Sequence, residues 1–336
     1  MTTNTATAFV EGFIGDLGGV GGVGGVEPNL DRLVSDPSGL DAEAMLEAIA
    51  HPWFTEPGHQ PVALQMMCDF MAPEGSIYFD SIYGDFHGQR AIRNWLVPVM
   101  ATIDFIEFIP TAPPAIFDEG AGTSSLDEWE MVAVLGDERM PLSRGVSVRR
   151  YRDGWITWAC DVYDTGVFRV PPPPEAGLEA APIPDWPRTN WQRDVTGAEI
   201  VLQSLDLERA ASRLHPTDAV LHDPRVGELR GRDAIASWWA ELAGASRGVV
   251  LELLGQRLTD GTTSVQEWQQ LAVGPDASRT FMTRGTSVRR RTDGLVTYAA
   301  DYYDTASLDD PEVEAAAHAA GSTLTDDHVA RHRMPR

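Results

Sequence analysis

Carboxylates spaced two residues apart in extended segments are the side chains of this sequence with the clearest capacity for proton transfer. Glu128 and Glu130 lie on either side of Trp129, so both carboxylates fall on one face of a strand and the indole on the other. Tyr78 precedes Asp80 by two positions, which places a hydroxyl donor and a carboxylate on one face. Such a face is either a solvated outer surface or a site of acid/base chemistry, and the residue types leave both interpretations open.

Aspartates at the ends of other extended segments are the next candidates. A carboxylate in an apolar pocket has its ionised form destabilised, so its pKa rises toward the range in which it exchanges protons near neutrality. Asp80 and Asp223 fit this role, but the alternative is a turn aspartate bonded to its own backbone, which Pro224 favours for Asp223. Asp161 and Asp301 have a structural alternative as well, an ion pair with an arginine on a neighbouring strand.

Charge and composition exclude several classes of partner. The 336 residues include 50 acidic and 26 basic side chains, a formal net charge of −24, which repels phosphate backbones and anionic lipid headgroups. We therefore predict no nucleic-acid partner and no membrane partner. No run of about 18 apolar residues occurs. The N-terminus lacks the pattern of a signal peptide, so a cytoplasmic protein is expected.

Motifs for cofactors and metals are missing from the sequence pattern. The histidines do not assemble into a ligand set, and Cys68 and Cys160 lie far apart without the spacing of a zinc site. The glycine tract from Gly18 to Gly25 lacks the strand and helix neighbours that a phosphate-binding loop needs. The sequence therefore predicts no metal and no cofactor.

An internal repeat organises the chain. Residues 143–165 match residues 283–305 without a gap and with more than half of the positions identical, and residues 77–92 match 220–235. Two copies of one fold follow. The predicted parts are a flexible glycine-rich tail over 1–40, a first domain over 41–170, a proline-rich linker over 171–190, a second domain over 191–308 and a polar tail over 309–336.

The order of local signals is the same in both copies and indicates an α+β fold, because helical patterns come before a run of strands. An Asp153-Gly154 hairpin signal joins the last two strands of the first copy. The patterns predict helices over Thr196–Leu214, Ala91–Leu96 and Ala234–Leu242, and strands over Phe105–Ile109, Ser125–Leu135, Arg144–Arg150 and Trp155–Tyr163.

Two motifs carry a family resemblance. One is the aspartate turn that leads to a Gly-x-x-Ala-Ile helix start, and the other is the Asp-Gly hairpin whose second strand ends in Asp-x-Tyr-Asp. Both repeats resemble the nuclear transport factor 2-like superfamily, which includes ketosteroid isomerase, limonene epoxide hydrolase and the SnoaL-type polyketide cyclases. The resemblance implies two tandem cone-shaped α+β barrel domains. In each, a curved antiparallel sheet wraps around N-terminal helices and encloses a pocket for a small apolar ligand.

The resemblance also implies positions for a site. Glu130 and Asp161 fall where limonene epoxide hydrolase has its two catalytic aspartates, but Glu128 takes the place of the arginine and leaves that triad incomplete. Asp80 and Asp223 resemble the general base of ketosteroid isomerase, and Ser147 stands near its enolate-stabilising acid. By position, Glu107 and Glu252 resemble a carboxylate that pairs with this aspartate in epoxide-opening polyether cyclases.

Taken together, these residues and the resemblance predict an acid/base enzyme without a cofactor that isomerises, cyclises or opens an epoxide of a hydrophobic polyketide-, terpenoid- or steroid-like molecule. Asp80 is the expected acid or base with Glu107 or Glu130 as partner, Asp161 supports it and Tyr78 orients oxygen. The expected substrate-binding residues are Glu128, Trp129, Ser147, Trp158, Asp223, Glu252 and Asp301. The alternative is a non-catalytic binding or assembly module of the same fold, with the two copies packed as a pseudo-dimer in either case.

Overall fold

The structure is a computed structural model that describes residues 41–43, 45, 67–81, 83–102, 106–135, 138–166, 195–201 and 209–325. The predicted glycine-rich tail and proline-rich linker lie outside these residues. Within them, the chain forms two seven-stranded sheets with helices beside them, which confirms the expected α+β class.

The first sheet is built from the first sequence repeat. Its strands are β1 (Ile77–Asp80), β2 (Gly84–His87), β3 (Ile106–Pro110), β4 (Ala115–Asp118), β5 (Thr123–Leu135), β6 (Glu138–Arg152) and β7 (Trp155–Tyr163), and helix α1 (Gln89–Thr102) follows β2. The order is β2-β1-β7-β6-β5-β3, with β4 paired to β5. At the turn between β6 and β7, Asp153 and Gly154 have φ values of 50° and 77°. Positive φ at both turn residues is the type I′ geometry that an Asp-Gly pair favours, so the hairpin formed as predicted.

The second sheet repeats the order of six of these strands and differs in where its seventh strand pairs. Its strands are β8 (Val195–Val201), β9 (Val220–Asp223), β10 (Gly227–Arg230), β11 (Val249–Thr259), β12 (Thr263–Val273), β13 (Arg279–Thr292) and β14 (Leu295–Tyr303), with α2 (Arg232–Ala245) after β10 and α3 (Pro311–Ala319) after β14. The order is β10-β9-β14-β13-β12-β11-β8. β9 and β14 run parallel, whereas the other neighbours in this sheet are antiparallel. The sheet is therefore mixed, not wholly antiparallel as predicted.

One face of each sheet packs against a helix and forms a core. In the second repeat, Ile235 and Trp238 of α2 lie in one apolar cluster with Leu221, Trp268 and Tyr303 of the sheet. In the first repeat, Ile92 and Leu96 of α1 are buried with Tyr78, and Phe108 packs against the same cluster. The inner face of each sheet is the one that carries these apolar side chains.

The predicted helix over Thr196–Leu214 is wrong in its first part. Residues Val195–Val201 form strand β8, which pairs with β11. The β-branched residues of this segment favour an extended backbone, and a free sheet edge at β11 supplies the hydrogen-bond partners, so tertiary pairing overrides the local helical pattern.

The predicted polar tail over 309–336 begins with helix α3. Asp310 accepts a hydrogen bond from the Glu312 N–H at 2.9 Å, and Pro311 stands in the first turn, where its missing N–H costs nothing. Val313 and Ala317 are buried in the second core. His328 and His332 lie outside the described residues.

The chain divides into two compact units. The first contains the described residues within Met1–Phe79, Asp85–Pro141 and Ser147–Asp161, and the second contains those within Asp80–Gly84, Leu142–Val146 and Val162–Arg336. Three short segments of the first repeat thus belong to the second unit.

Reciprocal hydrogen bonds lie inside the second unit. Asp304 accepts bonds from the N–H and hydroxyl of Thr165 at 3.0 and 2.7 Å. Asp164 accepts the same two bonds from Thr305 at 3.1 and 2.6 Å. The Asp-Thr dipeptide at the end of each repeat therefore has an identical structural role in both copies, which explains its repetition without catalysis.

Candidate active site

Cross-strand register brings an indole, a hydroxyl and a carboxylate together on the inner face of the second sheet. Trp268 lies opposite Gly285, and Ser287 lies opposite Asp301. A Cβ at Gly285 would stand 2.3 Å from the Trp268 ring. Gly285 therefore allows the indole to lie across β13, where its N–H reaches the next inward side chain on that strand.

A chain of hydrogen bonds follows from this placement. Trp268 Nε1 donates to Ser287 Oγ at 2.9 Å, and Ser287 donates to Asp301 Oδ1 at 2.6 Å. Arg289 Nη2 donates to the same carboxylate oxygen at 2.7 Å. Asp301 is thus held by a neutral and a charged donor, and the positive charge of Arg289 offsets its negative charge.

A second carboxylate of this unit, Asp223, is only 4% exposed. It accepts bonds from the Tyr303 hydroxyl at 3.2 and 3.3 Å and from the Arg225 N–H at 2.9 Å. Burial raises the pKa of Asp223 to about 6, the negative charge of Asp301 adds to the rise, and Arg225 and Tyr303 oppose it. Asp223 therefore carries a proton in a pH range where an ordinary aspartate is ionised, as acid/base chemistry requires.

The first repeat contains the same indole, hydroxyl and carboxylate. Trp129 Nε1 donates to Ser147 Oγ at 2.9 Å, and Ser147 donates to Asp161 Oδ1 at 2.6 Å. Tyr78, 1% exposed, donates its hydroxyl to the other oxygen, Asp161 Oδ2. Asp161 therefore has a hydroxyl donor on each carboxylate oxygen. The sequence placed Asp161, Ser147, Trp129 and Tyr78 in the site, and the structure brings these four together.

An arginine joins Asp161 to a further aspartate that the sequence analysis missed. Arg149 Nη1 lies 3.1 Å from Asp127 Oδ2, and Arg149 Nη2 lies 4.0 Å from Asp161 Oδ1. Burial raises the pKa of Asp127, Arg149 lowers it and Asp161 raises it again, with a net upward shift. An arginine of β6 therefore lies between the two carboxylates. Its signal was present, because Arg149 follows Ser147 by two positions and Asp127 precedes Trp129 by two.

Asp80 and Asp223 have features of both roles considered for them, the buried carboxylate and the turn aspartate bonded to its own backbone. Asp80, 6% exposed, accepts bonds from the Tyr163 hydroxyl at 3.1 and 3.3 Å, like Asp223 from Tyr303. It also accepts the Tyr83 N–H at 3.1 Å, as a turn aspartate does. The buried carboxylate and the turn aspartate are thus one residue in each repeat.

The structure does not bring Glu107, Glu128 and Glu130 to the face of Asp161. In β5, Glu128 and Glu130 alternate with Trp129, so they lie on the outer face. Glu107 of β3 lies opposite Val132 of β5 and therefore on the same outer face. Phe108 and Trp129 meet edge to face on the inner side, with ring centroids 5.1 Å apart. Glu107 instead pairs with Arg139. Because side chains alternate along β7, the buried Trp158 lies on the face of this strand that is opposite to the face of Asp161.

The matching glutamates of the second repeat are also on the outer face. Glu252 accepts a bond from Gln269 and lies 3.5 Å from Arg279. Glu267 pairs with Arg284 at 3.4 Å, with both side chains 2% exposed. These are structural pairs on the side of the sheet opposite Trp268.

The described side chains and helices do not meet the requirements of a metal site or of a membrane span. No group of three or more His, Cys, Asp or Glu side chains among them is arranged to hold a metal ion. None of the described helices combines the length and the apolar character needed to cross a bilayer.

Comparison with known proteins matches the second repeat to a family model. Residues 199–299 match the family model described as a SnoaL-like domain. Among solved structures, the chain is similar to an LEH-like epoxide hydrolase from M. tuberculosis, with 23% identity over 32% of this chain and 77% of that one and a TM-score of 0.25. It is also similar to a putative polyketide cyclase from Sinorhizobium meliloti, with 22% identity over 30% and 85% of the two chains and a TM-score of 0.24.

A third solved structure is an NTF2-like protein of unknown function from Cytophaga hutchinsonii, with 11% identity over 30% of this chain and 88% of that one and a TM-score of 0.26. No curated protein matches the sequence. Residues 199–299 are therefore similar to a SnoaL-like domain, and the strands of the first repeat follow the same order in six of the seven positions.

Proposed function

We propose that this protein is an acid/base enzyme that needs no cofactor, and that Asp161 is its base. The observation that carries the proposal is the arrangement around this carboxylate: two hydroxyl donors bind its oxygens, and Arg149 links it to Asp127, a second carboxylate with a raised pKa. One carboxylate that accepts a proton beside another that retains one is the requirement for isomerisation, cyclisation or epoxide opening.

Epoxide opening by water uses every part of this arrangement. Water attacks an epoxide carbon and passes a proton to Asp161 while the C–O bond breaks. The proton of Asp127 passes to the oxygen that is released, which gives a diol. Arg149 offsets the charge that moves between the two carboxylates, and solvent later returns one proton to Asp127 and removes one from Asp161.

Aromatic side chains beside this site favour a hydrophobic substrate. Phe86 and Trp95 stack with centroids 4.2 Å apart, and Tyr78 lies 5.3 Å from Trp95. Phe108 adds a ring against Trp129. Flat apolar surface with few polar groups selects polyketide-, terpenoid- or steroid-like molecules.

The test is the substitution Asp161→Asn, which keeps the shape of the side chain and removes its ability to accept a proton. Turnover is measured on a panel of lipophilic epoxides and unsaturated ketones. We expect kcat/KM to fall by about 10²- to 10⁴-fold, while Asp301→Asn, the matched change in the second repeat, leaves it within about threefold. A folded Asp161→Asn protein with undiminished turnover would refute the assignment.

A binding module is the second candidate, and a specific observation favours it for the second repeat. Leu221 stands where the first repeat has Tyr78, and Gln266 stands where it has Asp127. The second repeat thus has no counterpart of the Tyr78 hydroxyl or of the Asp127 carboxyl at these two positions. If no member of the panel is turned over but a lipophilic molecule binds, the non-catalytic alternative replaces the enzyme.

A further inference from the structure

We propose that Trp129 and Ser147 are positioning residues that fix the orientation of the Asp161 carboxylate for proton transfer, an inference that rests on the proposed function. The supporting observation is that the indole–hydroxyl–carboxylate chain occurs in both repeats with the same distances, 2.9 and 2.6 Å. The neighbouring side chains differ between the copies, so the geometry comes from the three residues and the strand register.

The direction of the chain follows from the chemistry of its first member. An indole N–H only donates, so Ser147 Oγ must accept from Trp129. The serine has one proton of its own, and the carboxylate oxygen at 2.6 Å receives it. Trp129 therefore prevents the hydroxyl from turning away from Asp161. The carboxylate is always met by a donor on Oδ1.

This restraint determines which oxygen reacts. Each oxygen of Asp161 accepts one hydroxyl bond, Oδ1 from Ser147 and Oδ2 from Tyr78, and a carboxylate oxygen can accept a second bond. The positive charge of Arg149 faces Oδ1, so it opposes proton transfer to that oxygen and favours transfer to Oδ2. A reacting water or substrate oxygen that bonds to Tyr78 is thus placed against Oδ2. Ser147 would act only through Asp161 and would not touch the substrate.

The first experiment separates positioning from structural support by kinetics. Ser147→Ala removes the donor to the carboxylate, and we expect kcat to fall about ten- to a hundredfold, the worth of a hydrogen bond to a charged group, with KM within about threefold. The acid limb of the kcat/KM profile should move to higher pH, because a carboxylate that loses a donor is protonated more easily. Ser147→Thr, which keeps a hydroxyl, should restore most of the rate.

A double-mutant cycle tests the role of Trp129. Trp129→Phe should lower kcat in the wild-type background and have little further effect in Ser147→Ala, because both changes break the same chain. The matched control is Ser287→Ala, which removes the corresponding hydroxyl in the second repeat and should leave kcat unchanged. If Ser147→Ala and Ser287→Ala lower stability equally and neither changes kcat nor the pH profile, the chain is structural and the proposal is overturned.

A spectroscopic readout keeps this inference separate from the proposed function. In ¹⁵N-labelled protein, the Trp129 indole N–H resonance should move upfield in Ser147→Ala, and Asp161→Asn should also shift it, because the asparagine changes what the serine can donate to. An indole resonance that ignores both substitutions would overturn the chain even where Asp161 proves catalytic. If both shifts occur while Asp161→Asn retains full turnover, the proposed function fails, and the positioning role fails with it.

Discussion

The two repeats share a framework and differ in what surrounds it. Trp129, Ser147, Arg149 and Asp161 correspond to Trp268, Ser287, Arg289 and Asp301. Around this framework, the first repeat has Tyr78 and Asp127 where the second has Leu221 and Gln266. The shared residues are thus enough to hold a carboxylate on the inner face. Only the first repeat adds a second hydroxyl to this carboxylate and a second carboxylate, Asp127, beside the arginine.

The arginine shared by the two repeats, Arg149 in the first and Arg289 in the second, has different partners in each. In the second repeat, Arg289 donates to Asp301 at 2.7 Å and to the carbonyl oxygen of Ala300 at 2.8 Å. Gln266 donates to backbone carbonyl groups and does not compete for it. In the first repeat, Arg149 lies nearer to Asp127 and 4.0 Å from Asp161. One guanidinium therefore serves a single carboxylate in one copy and links two in the other.

The largest expected effect is on stability and comes from removing the linking arginine. Arg149→Met leaves two carboxylates close together without their shared cation, which should lower the free energy of unfolding at pH 7 by about 3–5 kcal/mol. Arg289→Met removes a more exposed guanidinium and leaves a single carboxylate, so it should cost about 1–2 kcal/mol. Denaturant unfolding measures both values. Equal losses would show that Arg149 does not link the two aspartates.

The raised pKa of Asp223 predicts a pH-dependent change in the free energy of unfolding that is nearly as large as the loss expected for Arg149→Met. Its pKa rises from 3.8 to about 6 on folding, so the folded state holds a proton that the unfolded state releases. Stability should therefore fall as the pH rises from about 4 to about 6, by about 3 kcal/mol for a shift of about two pH units. Asp223→Asn should remove this fall, so the variant gains stability over the wild type with rising pH.

Asp260 provides a control of opposite sign for that measurement. Burial acts to raise its pKa, but bonds from the Thr263 N–H and from the hydroxyl and N–H of Thr262 outweigh burial and lower it. Asp260 should therefore stabilise the fold above its unfolded pKa, and this contribution is lost as the pH falls. Asp260→Asn should lose stability at pH 7 and little at pH 3. If Asp223→Asn behaves like Asp260→Asn, the buried acid is absent.

The repeats themselves show how far sequence patterns determine this structure. The Asp153-Gly154 hairpin, most of strands β3, β5, β6 and β7, and the helices after β2 and β10 follow from local periodicity and turn chemistry, and these were predicted. Strand β8 was not predicted, because its extended backbone depends on pairing with β11, which is distant in sequence. The Arg149–Asp127 contact was missed because cross-strand neighbours depend on the register between β5 and β6. The outer position of Glu130 could have been predicted from the sequence, because Glu130 alternates with Trp129 and a large indole belongs in the core.

Replacing Tyr78 and Asp127 of the first repeat by the residues of the second tests whether these two side chains account for the expected difference in activity between the repeats. Tyr78→Phe and Asp127→Asn each remove one group that the second repeat lacks. We expect each to lower kcat/KM about tenfold to a hundredfold through loss of a hydrogen bond or an acid. The combined Tyr78→Leu, Asp127→Gln protein should show no more turnover than Asp161→Asn. Activity within threefold of the wild type in that double variant would remove the functional distinction between the repeats.

The smallest effect is expected at the outer glutamates. Glu107→Gln breaks a partly exposed pair with Arg139, which is worth less than about 1 kcal/mol, and Glu130→Gln changes a side chain on the face opposite Trp129. Turnover should stay within about twofold for both, because neither carboxylate shares a face with Asp161. A rate loss of a hundredfold at Glu130 with unchanged stability would mean that the reaction takes place on the outer face of the sheet. On the outer face of the second repeat, Glu252 and Glu267 are held in ion pairs. Because side chains alternate along β5 and β12, these glutamates lie opposite the indoles, and this supports the proposal that proton transfer takes place on the inner face.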